Sequence, residues 1–249
     1  MGIDTRLNNI ADDKQSQVND ELQKLKDNLL MTAGSLAGQK NPTLQDVQLA
    51  VQADFDNFNA AVAPIIASLA VVASISLDKA KKIDSGAKYT QDEIQKIADF
   101  TQAIQNEFNN FTTNKSSELA TSIYQQVVAG ASREEIKKSV EITLNKSGLG
   151  GENIRGLKTL VVTRAFDLDS FATKLITQRL GVEKYRYVGG VIDTTRDWCR
   201  QHNDKVLTKS EIDDWRNHDW QGKQEGDPFV VRGGWNCRHH FEPVPQSGK

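Results

Sequence analysis

Through the first three quarters of the chain, apolar residues recur at spacings of three and four, the period of a helix that buries one face. Val18, Leu22, Leu25 and Leu29 share one such face, and Ile94, Ile97, Ile104, Phe108 and Phe111 share another, with Thr101 filling the gap in the rhythm. Start signals agree: Thr43 with Asp46, Thr90 with Glu93, and Ser132 with Glu135 each place a hydroxyl three residues ahead of an acid. That is the arrangement of a capping box or its close relative, and it predicts helix starts near residues 43, 90 and 132. Stops are read at Gly34, Gly38 and Pro42, at Asp84-Ser85-Gly86, at Gly130, and at Ser147-Gly148-Leu149-Gly150-Gly151. The last of these is the best domain boundary.

A further helix is predicted from about Arg155 to Leu180, with Leu157, Leu160, Val161, Ala165, Leu168, Phe171, Ala172 and Ile176 inward and Gly181 as its C-terminal cap. Beyond Gly181 the helical period stops. Residues 184–193 mix aromatic and β-branched residues around Gly189-Gly190 and read as a strand with a bend or bulge. One stretch, Val62 to Leu77, carries no charge. It falls short of the ~20 residues that a spanning helix needs, so a buried core helix is preferred to membrane contact.

Composition divides the chain in the same way. All four Trp, all four His and both Cys lie after residue 197, whereas the preceding part is built from Ala, Leu, Ile, Val, Asn and Gln. This predicts an α+β protein of two domains: a mostly helical one over residues 1–150, and a small α/β module over residues 151–249 stabilised by zinc or by a disulfide. With 31 Lys and Arg against 33 Asp and Glu, the formal net charge of -2 removes the strongly basic field of a protein living on phosphates. The N-terminus lacks the basic and apolar regions of a signal peptide, and Arg6 breaks a myristoylation match at Gly2, so folding in a cytoplasm is expected.

The late residues carry the chemistry. Cys199 and His202 are separated by two residues, and a turn-rich excursion later Cys237 is followed by His239 and His240. Together Cys199, His202, Cys237 and His239, with His240 in reserve, make a Cys₂His₂ set of the kind that suits Zn²⁺ and ties a loop-rich module with little core of its own. A Cys199 to Cys237 disulfide, two buried thiols, or histidines that only cap and hydrogen-bond are the competing readings. No His-Glu-x-x-His pattern points to a catalytic zinc.

The stretch from Val161-Val162-Thr163-Arg164-Ala165 through Tyr185, Asp193, Thr195-Arg196, Cys199, His202 and Lys205 to Asn236-Cys237-Arg238-His239-His240-Phe241-Glu242-Pro243-Val244 resembles the phage Mu F-like minor head protein domain, also called the phage head morphogenesis domain. The resemblance covers roughly residues 157 to 245. His202 and His239 stand where that family often has cysteines, so four ligands would be kept by a shared metal site, an exchange that makes little sense for two disulfides. The resemblance implies a non-enzymatic minor capsid protein of a tailed bacteriophage virion, assembled in the bacterial cytoplasm and associated with the portal, other virion proteins or sister copies, and assisting head assembly or genome packaging and ejection. The N-terminal helices are where those contacts are expected.

Two other functional classes are weighed. Viral DNA binding at the exit vertex would use Arg196, Arg200 and Arg238, although residues 181 to 249 hold eleven basic and eleven acidic residues and are neutral. A zinc-dependent hydrolase or nuclease would use an open metal position, with Asp193, Asp197, Asp213-Asp214, His240 or the Asn217-His218 pair as candidates; charged turns are the commoner meaning of such residues.

Overall fold

The computed structural model describes residues 3–145 and 156–245. Its elements run α1 (Ile3–Leu36), α2 (Leu44–Ala67), a 3₁₀ turn (Ser68–Val71), α3 (Val72–Lys81), α4 (Gln91–Val128), α5 (Arg133–Asn145), α6 (Gly156–Arg179), β1 (Lys184–Val188), α7 (Asp197–His202), β2 (Val206–Thr208), α8 (Lys209–Asp214), a second 3₁₀ turn (Trp215–Asn217), α9 (Pro228–Val231) and β3 (His240–Pro243). Helix makes up 71 % of the described residues and their strands form one small antiparallel sheet, so the protein is α+β.

The three predicted helix starts fall where local chemistry puts them. At Thr43, Thr90 and Ser132 the hydroxyl accepts from the backbone N–H of the acid three residues on, and that acid accepts from the cap residue's own N–H. Each reciprocal pair satisfies two donors that a helix end otherwise leaves without partners. The predicted stop at 147–151 lies outside the described residues.

The chain forms two compact units, and their limits differ from a division at residue 150. One comprises Met1–Lys14, Ser68–Gln102 and Leu160–Lys249; the other comprises Gln15–Ala67 and Ala103–Thr159. Helices of 34 and 38 residues such as α1 and α4 are about 50 Å long or more, enough to give one portion to each core. The composition shift near residue 197 thus marks where the chemistry sits and not where packing divides.

The second unit is a helical bundle. Val18, Leu25 and Leu29 of α1, Val47, Val51, Phe55 and Val62 of α2, Ile104 and Phe108 of α4, and Ile136 and Val140 of α5 are buried. Polar rungs cross it, with Thr112 donating to Asn59 and Ser116 to Gln52. These bonds explain why hydroxyls occupy inward positions of α4.

In the first unit β1 is the middle strand, pairing with β2 and β3 in the order β2-β1-β3. The unit's central helix is α6, which is buried on every side from Leu160 to Thr177 apart from a few half-buried positions. Only one apolar face was expected of it. Its inward charges are matched instead: Asp169 accepts from Ser76 and Lys79 of α3, and Asp167 from Arg232 and Arg164. A second correction concerns Ile94, which is 48 % exposed, while its neighbour Glu93 turns inward to bind Arg179.

The uncharged stretch Val62 to Leu77 is core on one face only. Val62, Ile66, Leu69, Val72 and Ile75 are buried, whereas Pro64, Ala67, Ala70 and Val71 are exposed. The helix from Leu44 to Lys81 is long and apolar enough to cross a membrane by length and composition, and 33 % of its most apolar window is buried. Pro64 lacks the N–H that would bond back along α2, and the 3₁₀ turn begins four residues beyond it.

Candidate metal centre

The centre is assembled from α7, the turn before β3, and β1. Helix α7 starts at Asp197, whose carboxylate suits the positive N-terminal end, and carries Cys199 inward. Cys237 sits in a turn made by Gly234 and Asn236, both at positive φ, and closed by the Cys237 N–H on the Gly234 carbonyl. The Asn236 N–H donates to Thr163 of α6, and Arg196 donates to the Trp235 carbonyl, so the turn is anchored on two sides. His239 follows just ahead of β3.

These elements bring Cys199, Cys237 and His239 together, with one ligand atom of each lying within 4.8 Å of the others. The two sulfurs are 3.8 Å apart, Cys237 Sγ is 3.9 Å from His239 Nδ1, and the other ring nitrogen of His239 has no hydrogen-bond partner among the described residues. The three side chains are 2–3 % exposed. Both cysteines are free thiols, so the disulfide alternative is not formed. The group can hold a metal ion.

Two glycines make room for it. A Cβ on Gly233 would stand 2.4 Å from Cys199 Sγ and 2.7 Å from Cys237 Sγ, and one on Gly189 would stand 2.6 Å from Cγ of His239. The bend read at Gly189-Gly190 is therefore a close approach of backbone to the His239 ring. Tyr187, at the end of β1, is fully buried against the group, its hydroxyl 3.3 Å from Cys237 Sγ and 3.5 Å from Cys199 Sγ. Its ring stacks on His239 and meets Trp215 edge-on.

The sulfurs are electrostatically unequal. The contact with Cys199 holds the Cys237 thiol well below its ordinary value, helped by His239 and by the buried Arg232, while burial opposes. The same interaction, with burial, pushes Cys199 up. Burial, then the two cysteines, raises the Tyr187 phenol well above its usual range.

Two expected ligands are placed elsewhere. His202 lies outside the group: its Nδ1–H donates to the Trp198 carbonyl at 2.7 Å, and its ring packs against Trp198 and Trp215. Burial lowers its pKa, which keeps the ring neutral in that aromatic setting. Spacing brings His202 to the right turn of α7, but the carbonyl four residues back takes its donor. The reserve ligand His240 is the residue after His239, and its Nε2 lies 3.9 Å from Glu242 on the same strand. It too is outside the group.

The three candidate DNA-contacting arginines are engaged within the molecule. Arg196 holds Trp235, Arg200 holds the carbonyls of Ile192, Asp193 and Thr195, and Arg238 binds Asn8 and Asp12. Asn217 and His218 both bond Asp214 and close an exposed turn. Tyr187, Arg232, Gly189 and Gly233 were missed as parts of the site, since an aromatic in a strand reads as core and glycines read as turns. No known protein family, curated protein or solved structure matches the chain.

Proposed function

We propose that the chain is a non-enzymatic minor capsid protein of a tailed bacteriophage, of the head morphogenesis type, in which Zn²⁺ bound by Cys199, Cys237 and His239 holds its C-terminal residues together. The observation that carries the zinc reading is the 3.8 Å separation of the sulfurs. Two thiolates at ~2.3 Å from a tetrahedral Zn²⁺ stand about 3.8 Å apart. An ion there joins α7 to the turn before β3. The ligands' burial gives a substrate no approach, which favours a structural ion over a hydrolytic one.

The virion reading is supported by the residues of the resemblance, which from Val161 to Val244 all belong to one compact unit. The partners it implies are the portal and neighbouring head proteins. Mass spectrometry of the native chain and of Cys237→Ser tests the ion, with one zinc per wild-type chain and none in the variant expected. Immunoblotting of density-banded, DNA-filled heads tests the role. A chain found only in the soluble fraction of the lysate, or one that turns over a phosphodiester or peptide substrate, overturns it.

A further inference from the structure

We infer that Tyr187 is the fourth donor of the centre, its phenolate oxygen closing the coordination shell of the ion held by Cys199, Cys237 and His239. The inference rests on the metal reading above and adds to it a ligand type that the Cys and His pattern does not contain.

The geometry is that of a shell with one oxygen vertex. In a tetrahedron with sulfur at ~2.3 Å and oxygen at ~2.0–2.2 Å, the sulfur-to-oxygen edges are about 3.5 Å. The Tyr187 hydroxyl stands 3.5 Å from Cys199 Sγ and 3.3 Å from Cys237 Sγ. A closed structural site takes four protein donors, and among the described residues no further His, Cys, Asp or Glu joins the three. The phenol is held in place by the central strand, by its stack on His239 at 5.1 Å and 16°, and by complete burial.

Gly233 supplies an independent observation. The three atoms nearest to the position of its missing Cβ are Cys199 Sγ, Cys237 Sγ and the Tyr187 hydroxyl, the last at 3.0 Å. Two sulfurs and one oxygen therefore converge on a side of the backbone from which a side chain is absent. Charge fits as well. Two thiolates and a phenolate leave a divalent ion one negative charge in excess, and the fully buried guanidinium of Arg232 lies within electrostatic reach of both Cys237 and Tyr187. Loading releases the phenol proton and whatever protons the two thiols carry to solvent, with no change of oxidation state.

A phenol that only donates a hydrogen bond to a thiolate would occupy nearly the same place, so the test reads the phenolate itself. The full chain is stripped of metal under reductant and titrated with Zn²⁺ and with Co²⁺, following bound metal per chain and the ultraviolet difference spectrum. A tyrosinate band that grows with metal and saturates with it, lost in Cys237→Ser and in Tyr187→Phe but kept in Tyr185→Phe, is expected. One bound ion without a tyrosinate band overturns the role of Tyr187 and leaves the zinc reading standing. Failure of the wild type to bind either ion overturns both. Should Tyr187→Phe not fold, the wild-type and Cys237→Ser spectra decide.

Discussion

Arg232 donates to Asp167 at 2.7 Å with both side chains buried, joining the turn after α9 to the middle of α6. Arg232 also reaches Ser170 and the Val230 carbonyl, and Arg164 takes the second carboxylate oxygen of Asp167. Two buried charges in low dielectric are held only because each answers the other. Arg232→Ala leaves a buried carboxylate with one half-covered partner, and a loss of about 3–5 kcal/mol is expected in urea unfolding. The double variant Asp167→Asn, Arg232→Met should lose less than Arg232→Ala alone, because no buried charge is left uncompensated. A double variant that is less stable than the single one would show that the pair contributes net attraction.

Gly233 and Gly190 make a matched pair for testing the metal centre. A Cβ at Gly233 meets both sulfurs inside 3 Å, whereas one at Gly190 meets nothing within 4 Å. Gly233→Ala should bind no metal and lose about 1–3 kcal/mol from overpacking. Gly190→Ala should keep the ion and a wild-type melting temperature. Retention of one metal per chain in Gly233→Ala would place the ion away from the sulfurs.

His202 and His239 are both candidate ligands by spacing, and the fold separates them. His202→Ala should still hold one ion per chain, with its cost confined to lost packing against Trp198 and Trp215. His239→Ala should lose the ion or bind it far more weakly. Metal content measured side by side on the two variants distinguishes the spacing argument from the geometry. A His202 variant without metal would restore the four-ligand set of two cysteines and two histidines.

What the sequence makes legible here is chemistry that closes over a few residues. The caps at Thr43, Thr90 and Ser132 are local, as is the capping box of Thr208 with Glu211 at the start of α8. Inward positions set by distant partners are not legible. Periodicity puts Ile94 inward, yet Glu93 is drawn in by Arg179, 86 residues away. Helix α6 shows no clean amphipathic face because Asp169 finds Lys79 across 90 residues and Asp167 finds Arg232 across 65. At the metal centre the two cysteines and His239 follow from residue type. The roles of Tyr187, Gly189 and Gly233 depend on which backbone passes beside the sulfurs, and that is a property of the folded chain.

Glu242, on β3, gives the fold an acid-sensitive point. Its carboxyl is held down to about 2, first by His240, whose Nε2 stands 3.9 Å away, and then by Lys82 and Lys79, with burial working against them. A carboxyl depressed in the folded state contributes stability that is fully present above its unfolded value and is lost as pH falls toward the folded one. The relevant window runs from the ordinary value of 4.5 down to about 2. Glu242→Gln should be less stable than wild type at neutral pH, and the gap should narrow as pH falls through that window. Urea unfolding of both chains at a series of pH values reads the gap directly. A difference independent of pH would mean that the ionised carboxylate contributes nothing beyond packing, and that His240 is held by its surroundings and not by Glu242.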